Sequence, residues 1–98
     1  MEKINQPVIV SEGNSIGIAV QHLKQDSTNR VYRKGWNGKN LYLELQTPDE
    51  NSKMTLPYIY MVTTNVVTEA ENPARGCVPW LASQTDLLAE DWVLISLV

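Results

Sequence analysis

The residues best suited to chemistry in this sequence are aromatic. It holds three Trp and four Tyr but no Phe, and Trp and Tyr join a stacking face to a polar handle where Phe offers burial alone. Trp36 stands in Gly35-Trp36-Asn37-Gly38, beside a turn signal where core packing is least available, so its apolar surface needs another partner. Trp80 follows Pro79 and precedes the helix start Ser83-Gln84-Thr85-Asp86. A ring in either place could stack on a heteroaromatic base, fold back over its own hairpin or pack on another subunit, and the residues alone leave these readings open. Backbone N–H groups at Ser83 to Thr85 would face outward from that helix end, where an anion can be held. Arg30, Arg33, Lys34 and Lys39 fall between Ser27 and Leu43 with no acid among them, which is either a solvated strand face or a local anion site.

Other chemistries fit poorly. The one His is His22 and the one Cys is Cys77, so metal-ligand spacing is lacking, no metal is expected, and no intrachain disulfide can form. A helical His22 reads as structural or solvent-facing. Ser83, His22 and Asp86 compose a catalytic triad only on paper: Ser83 lacks a Gly-x-Ser-x-Gly elbow, and helix capping explains it without chemistry. Glu90 and Asp91 are adjacent, badly placed to flank one bond, and read as a solvated turn. No Walker loop or Gly-x-Gly-x-x-Gly run is present, and no cofactor is expected. A net charge of -3 argues against DNA or RNA as a partner, because phosphate contacts need many Lys and Arg.

These residues must be positioned by a small frame. With 98 residues, 43% of them hydrophobic, the chain suits one domain with a modest core, and association between copies would help to bury more surface. Residues 1–14 read as an N-terminal extension in which Val8-Ile9-Val10 can add an edge strand. Residues 15–98 read as the single ligand-binding domain. Ile16, Ala19, Val20 and Leu23 carry helical spacing, with Asn14 or Ser15 as cap. Arg30 to Arg33 and Asn40 to Leu45 read as strands of a hairpin, with Leu41, Leu43 and Leu45 facing the core and Tyr42 and Glu44 facing away. Pro57 to Thr63 predicts a third strand, which Val66-Val67-Thr68 can continue or pair with. Cys77-Val78, ending at Pro79, predicts a short or edge strand. Ser83 to Asp86 resembles a capping box opening a helix through about Ala89, and Trp92 to Val98, apolar on both faces, predicts a central strand. The fold class is therefore α+β: a small antiparallel β-sheet with one N-terminal amphipathic helix and a short second helix before the last strand. The N-terminus lacks the pattern of a secretory signal and no apolar run is long enough to span a bilayer, so the expected location is cytosolic, with no membrane partner.

Several of these segments together resemble a known family. Gly35-Trp36-Asn37-Gly38-Lys39, Leu41-Tyr42-Leu43, Pro57-Tyr58-Ile59 and above all the run from Val78-Pro79-Trp80-Leu81-Ala82-Ser83 to Trp92 are similar to the second family of Thoeris anti-defence proteins, over about residues 15–95. The resemblance implies a bacteriophage protein acting in the cytoplasm of the infected bacterial host. It implies a non-enzymatic sponge for immune evasion, a likeness that extends to homo-oligomers, usually tetramers, with pockets between subunits. The signals implied are glycocyclic ADP-ribose or a related cyclic ADP-ribose isomer and, for some members, a cyclic nucleotide of CBASS-type systems. By match, Trp36 and Trp80 stack on ligand bases, while Asn37, Ser83, Thr85 and Asp86 lie in matching motifs. Arg30, Arg33 or Lys34 would then hold phosphates. A hydrolase of the same signals, and a phage structural or protein-interaction module, are the alternatives. The first 14 residues exceed the usual family start, and Ile18 stands where an acidic residue is common.

Overall fold

The computed structural model describes residues 6–36, 41–64 and 75–98. Strand β1 (Pro7–Asn14) leads directly into helix α1 (Ile16–Gln25), followed by β2 (Arg30–Arg33), β3 (Tyr42–Gln46), β4 (Tyr58–Thr64), β5 (Arg75–Pro79), helix α2 (Gln84–Leu88) and β6 (Trp92–Leu97). The strands form one antiparallel sheet in the order β1-β6-β2-β3-β4-β5. This is the α+β architecture that the hydrophobic patterning predicts, with one strand ahead of the first helix.

Strand β6 explains the order. It lies between β1 and β2, so both of its edges are hydrogen-bonded, and Trp92, Val93 and Leu94 are buried on alternate sides of the pleat while Ile95 to Leu97 are partly buried. Edge positions fall to β1 and β5. Strand β1 extends well beyond Val8-Ile9-Val10, and its pairing shifts register between Ile9 and Ser11 and again before Asn14. Gly13 adopts φ 72° within the second shift, where a residue bearing Cβ is disfavoured. Such bulges break the regular ladder that an edge strand would offer to another chain. Strand β5 ends at Pro79, which lacks the N–H a further strand would need.

The core lies between α1 and one sheet face. Ala19 and Leu23 of α1 meet Val31, Leu43, Leu94 and Trp92, all of them buried. The pairs Val31 with Leu43, Val31 with Leu94 and Leu43 with Met61 place these strand residues on the same side of the pleat. Leu45 packs against this cluster as expected of its strand position. Tyr42, Glu44 and Arg30 occupy the opposite face, where Arg30 Nε donates to Glu44 Oε2 at 3.1 Å and the guanidinium lies 4.4 Å from the Tyr42 ring centre.

Capping divides the two helices. Ser15 is the N-cap of α1 but its side chain makes no capping bond, contrary to expectation. Asn14 is engaged elsewhere, donating to Ser11 Oγ and to the Trp92 carbonyl, so it fastens β1 to β6 instead. In α2 the capping box is complete: Asp86 N donates to Ser83 Oγ and Ser83 N donates to Asp86 Oδ2. His22 is buried, with Nε2 2.9 Å from the Ile95 carbonyl, so Nε2 carries the proton and donates. Asn29 donates to the His22 carbonyl and accepts from Ser96, completing a structural network. Asn37, Gly38 and Lys39, and the segment Val66-Val67-Thr68, lie outside the described residues.

Candidate functional site

The three tryptophans converge on one another. Trp92, wholly buried on β6, stands between the other two. Trp36 meets it edge-to-face with ring centres 5.5 Å apart and planes at 78°, and Trp80 meets it at 5.9 Å and 84°. Perpendicular contact matches the positive edge of one indole to the negative face of another. Trp36 and Trp80 are each half-buried, so part of each indole remains accessible while Trp92 forms the support behind them. Sequence patterning correctly puts Trp92 in the sheet; what it does not reveal is that both candidate rings lean on it.

An ionic clasp holds the Trp36 segment against the α2 segment. Arg33 donates from Nε to Asp91 Oδ1 at 2.9 Å and from Nη1 to Asp86 Oδ1 at 2.8 Å. Asp91 Oδ2 accepts from Gly35 N at 3.0 Å, and the Asp91 carbonyl accepts from Lys34 N. Asp86 Oδ1 also lies 3.5 Å from Trp36 Nε1. A Cβ at position 35 would stand 3.0 Å from the Asp91 carboxylate, so glycine allows that carboxylate to reach the backbone. Asp91 is thus not the solvated turn residue that its neighbourhood in the sequence suggests. The β2–β6 register, which pairs Arg33 with Trp92, places it beside the guanidinium.

Electrostatics agree with this geometry. Burial pushes the Asp86 carboxyl up, but Arg33, the Ser83 N–H and hydroxyl, and Trp36 together hold it below its ordinary 3.8. Arg33 holds Asp91 below the same value against a smaller effect of burial, with help from Gly35 N–H. Hydrogen bonds to Asp91 and Asp86 raise Arg33 in turn. Carboxylates lowered in the folded state stabilise it fully above their unfolded value, and that contribution is lost as pH falls through the lowered values. Unfolding free energy measured by urea titration is therefore expected to drop as pH falls through and below the ordinary carboxyl value of 3.8, with a shallower slope in Asp91→Asn.

The sequence-derived site residues are distributed unequally. Trp36, Trp80, Arg33, Ser83 and Asp86 come together around Trp92, and Thr85 joins them through a 2.9 Å contact between its hydroxyl and that of Ser83. Arg30 lies on the other sheet face with Glu44. Lys34 is exposed and sits 3.6 Å from Glu12. Asn37 lies outside the described residues. Trp80 also borders a groove of about 570 Å³, lined by Val20, Lys24, Leu45, Pro57, Ile59 and Ala82 and by Tyr58. Among the described residues, no group of three His, Cys, Asp or Glu side chains is placed to hold a metal ion.

The residues that build this cluster fall inside a segment with known relatives. Residues 14–95 match the profile of the Thoeris anti-defense 2-like domain. The chain belongs to that family. It is also 37% identical over 89 residues to Thoeris anti-defense 2 of Bacillus phage SP01, an alignment covering 84% of this chain and 94% of that protein. Membership of the Thoeris anti-defense 2-like family supports a phage anti-defence role. The family segment contains all three tryptophans and the Arg33 clasp, whereas most of β1 precedes it. No helix among the described residues is long and apolar enough to cross a membrane.

Proposed function

We propose that this protein captures a nucleotide-derived immune signal and holds it without turnover. The carrying observation is the tryptophan cluster: two half-accessible indoles, each backed by buried Trp92, lie in the segments that match the anti-defense family. Glycocyclic ADP-ribose is the first signal to consider, with CBASS cyclic oligonucleotides as further ligands. Trp36 and Trp80 stack on bases, Ser83, Thr85 and Asp86 supply polar contacts, and Asn37, which follows Trp36 in the sequence, is a further polar contact in this reading. Arg30, Arg33 and Lys34 are the cations first expected at phosphates. A bound phosphate would have to draw each of the three from a carboxylate, Glu44, Asp86 with Asp91, or Glu12.

Magnitudes favour a site with several components. Stacking contributes about 1–3 kcal/mol per base, whereas nanomolar capture requires about 12 kcal/mol. Charge-assisted hydrogen bonds and burial between subunits must supply the remainder. Leu81 ahead of α2 and Leu88 at its end, 92% and 79% exposed, support association of copies; the assembly proposed from the family resemblance is a homotetramer with pockets between subunits. The working compartment would be the cytoplasm of the infected host. Capture without catalysis suits a site whose carboxylates are held ionised by Arg33 and whose Ser83 serves as a helix cap. Calorimetry against cyclic ADP-ribose isomers and cyclic di- and trinucleotides should find tight binding to at least one. Failure to bind any of them would overturn the reading.

A further inference from the structure

Asp91 stands just ahead of β6, and each of its three oxygens accepts from the segment that leads to Trp36. Oδ1 takes Arg33 Nε at 2.9 Å, the carbonyl takes Lys34 N at 3.1 Å and Oδ2 takes Gly35 N at 3.0 Å. Consecutive residues thus donate to one residue from 56 to 58 positions away. Trp36 N then donates to the Arg33 carbonyl at 3.1 Å and closes a turn. The β2–β6 pairing ends with Arg33 and Trp92, so it is Asp91 that orients the chain beyond the strand. Asp86 has a second duty in the α2 capping box, whereas Asp91, its side chain 33% exposed and outside the buried core, has none among the described residues. The contact of Trp36 with Trp92 is one ring edge on one ring face, weak against the freedom of a residue past a strand end. A ring that must meet a base gains affinity when its angle is fixed beforehand.

We infer that Asp91 is a positioning residue for capture: through Arg33, Lys34 and Gly35 it fixes the turn that presents the Trp36 ring, without itself touching the signal. The inference deepens the capture reading and rests on it. It also gives Gly35 a role, because a Cβ there would stand 3.0 Å from Asp91 Oδ2 and crowd the bond that sets the turn.

Calorimetry with glycocyclic ADP-ribose on wild type, Asp91→Asn, Trp36→Ala and the double variant tests the assignment. Asparagine keeps the shape of aspartate but has one side-chain acceptor oxygen, so it cannot serve Arg33 and Gly35 together. Asp91→Asn is expected to bind about tenfold more weakly than wild type, as loss of one charge-assisted hydrogen bond allows. In the Trp36→Ala background the same change should cost nothing further, because the ring it positions is gone. In NMR spectra without ligand, the Trp36 Nε1–H resonance should shift in Asp91→Asn while that of Trp80 holds; a fold defect moves both. Unaltered affinity in Asp91→Asn, or an equal loss in the two backgrounds, would overturn the inference. Should Asp91→Asn fail to fold, Gly35→Ala disturbs the same bond from the other side, and its affinity should fall below wild type only where Trp36 is present. Wild-type affinity in Gly35→Ala would then be the contrary result. Binding by the wild type with no dependence on Asp91 sinks the positioning role and leaves capture standing. No binding by the wild type sinks capture of that signal, and the positioning role with it.

Discussion

Replacing Trp36 by Ala is expected to weaken capture of glycocyclic ADP-ribose by about ten- to hundredfold, the range that loss of one base stack gives. The fold should survive, because Trp36 is half-buried at the end of the β2 segment and the buried core of Ala19, Leu23, Val31, Leu43, Trp92 and Leu94 does not include it. Trp36→Phe should retain part of the affinity: a phenyl ring can still stack and still lean on Trp92, but it has no N–H near Asp86. Calorimetry for affinity and analytical ultracentrifugation for assembly separate this account from its main rival. If the tryptophans formed only contacts between subunits in a structural module, Trp36→Ala would change the assembly state with no ligand binding to lose.

The largest expected effect on stability lies at Trp92. Its side chain is wholly buried, meets both other indoles, and donates from Nε1 to the Asp86 carbonyl at 3.2 Å. Trp92→Ala should cost about 3–5 kcal/mol in urea unfolding, since it removes a large apolar side chain and leaves a cavity. Trp92→Phe should cost less, although the freed carbonyl of Asp86 would lose its donor. Because Trp92 supports both candidate rings, binding should fall in either variant even under conditions where the protein stays folded. A Trp92→Ala protein as stable as the wild type would contradict the central place given to this residue.

Much of the frame was legible from local chemistry. Alternation of Leu41, Leu43 and Leu45 with Tyr42 and Glu44 identified a two-faced strand, and the two-sided apolar pattern of Trp92 to Val98 identified a strand with neighbours on both sides. Ser83 and Asp86 announced a capping box because that motif is contained in four residues. Strand β1 was legible only over Val8 to Val10, because Ser11, Glu12 and Gly13 break the alternation where the bulges occur.

The site was less legible because its ties are distant in the chain. Arg33 and Asp91 are 58 positions apart, and only the β2–β6 register brings the guanidinium to that carboxylate. The local charge pattern therefore grouped Arg30 with Arg33 and Lys34, whereas the pleat sends Arg30 to the opposite face and Lys34 toward β1. Trp36 and Trp80 were legible as unusual residues. That both rest on Trp92 became visible only in three dimensions.

The central claim is capture without turnover, and the most direct measurement is mass spectrometry of small molecules released by denaturing protein purified from cells with an active Thoeris signalling enzyme. Intact glycocyclic ADP-ribose, recovered with wild-type protein and depleted with Trp36→Ala, is the result expected. A cleaved product, or the absence of any nucleotide from wild-type protein, would contradict it.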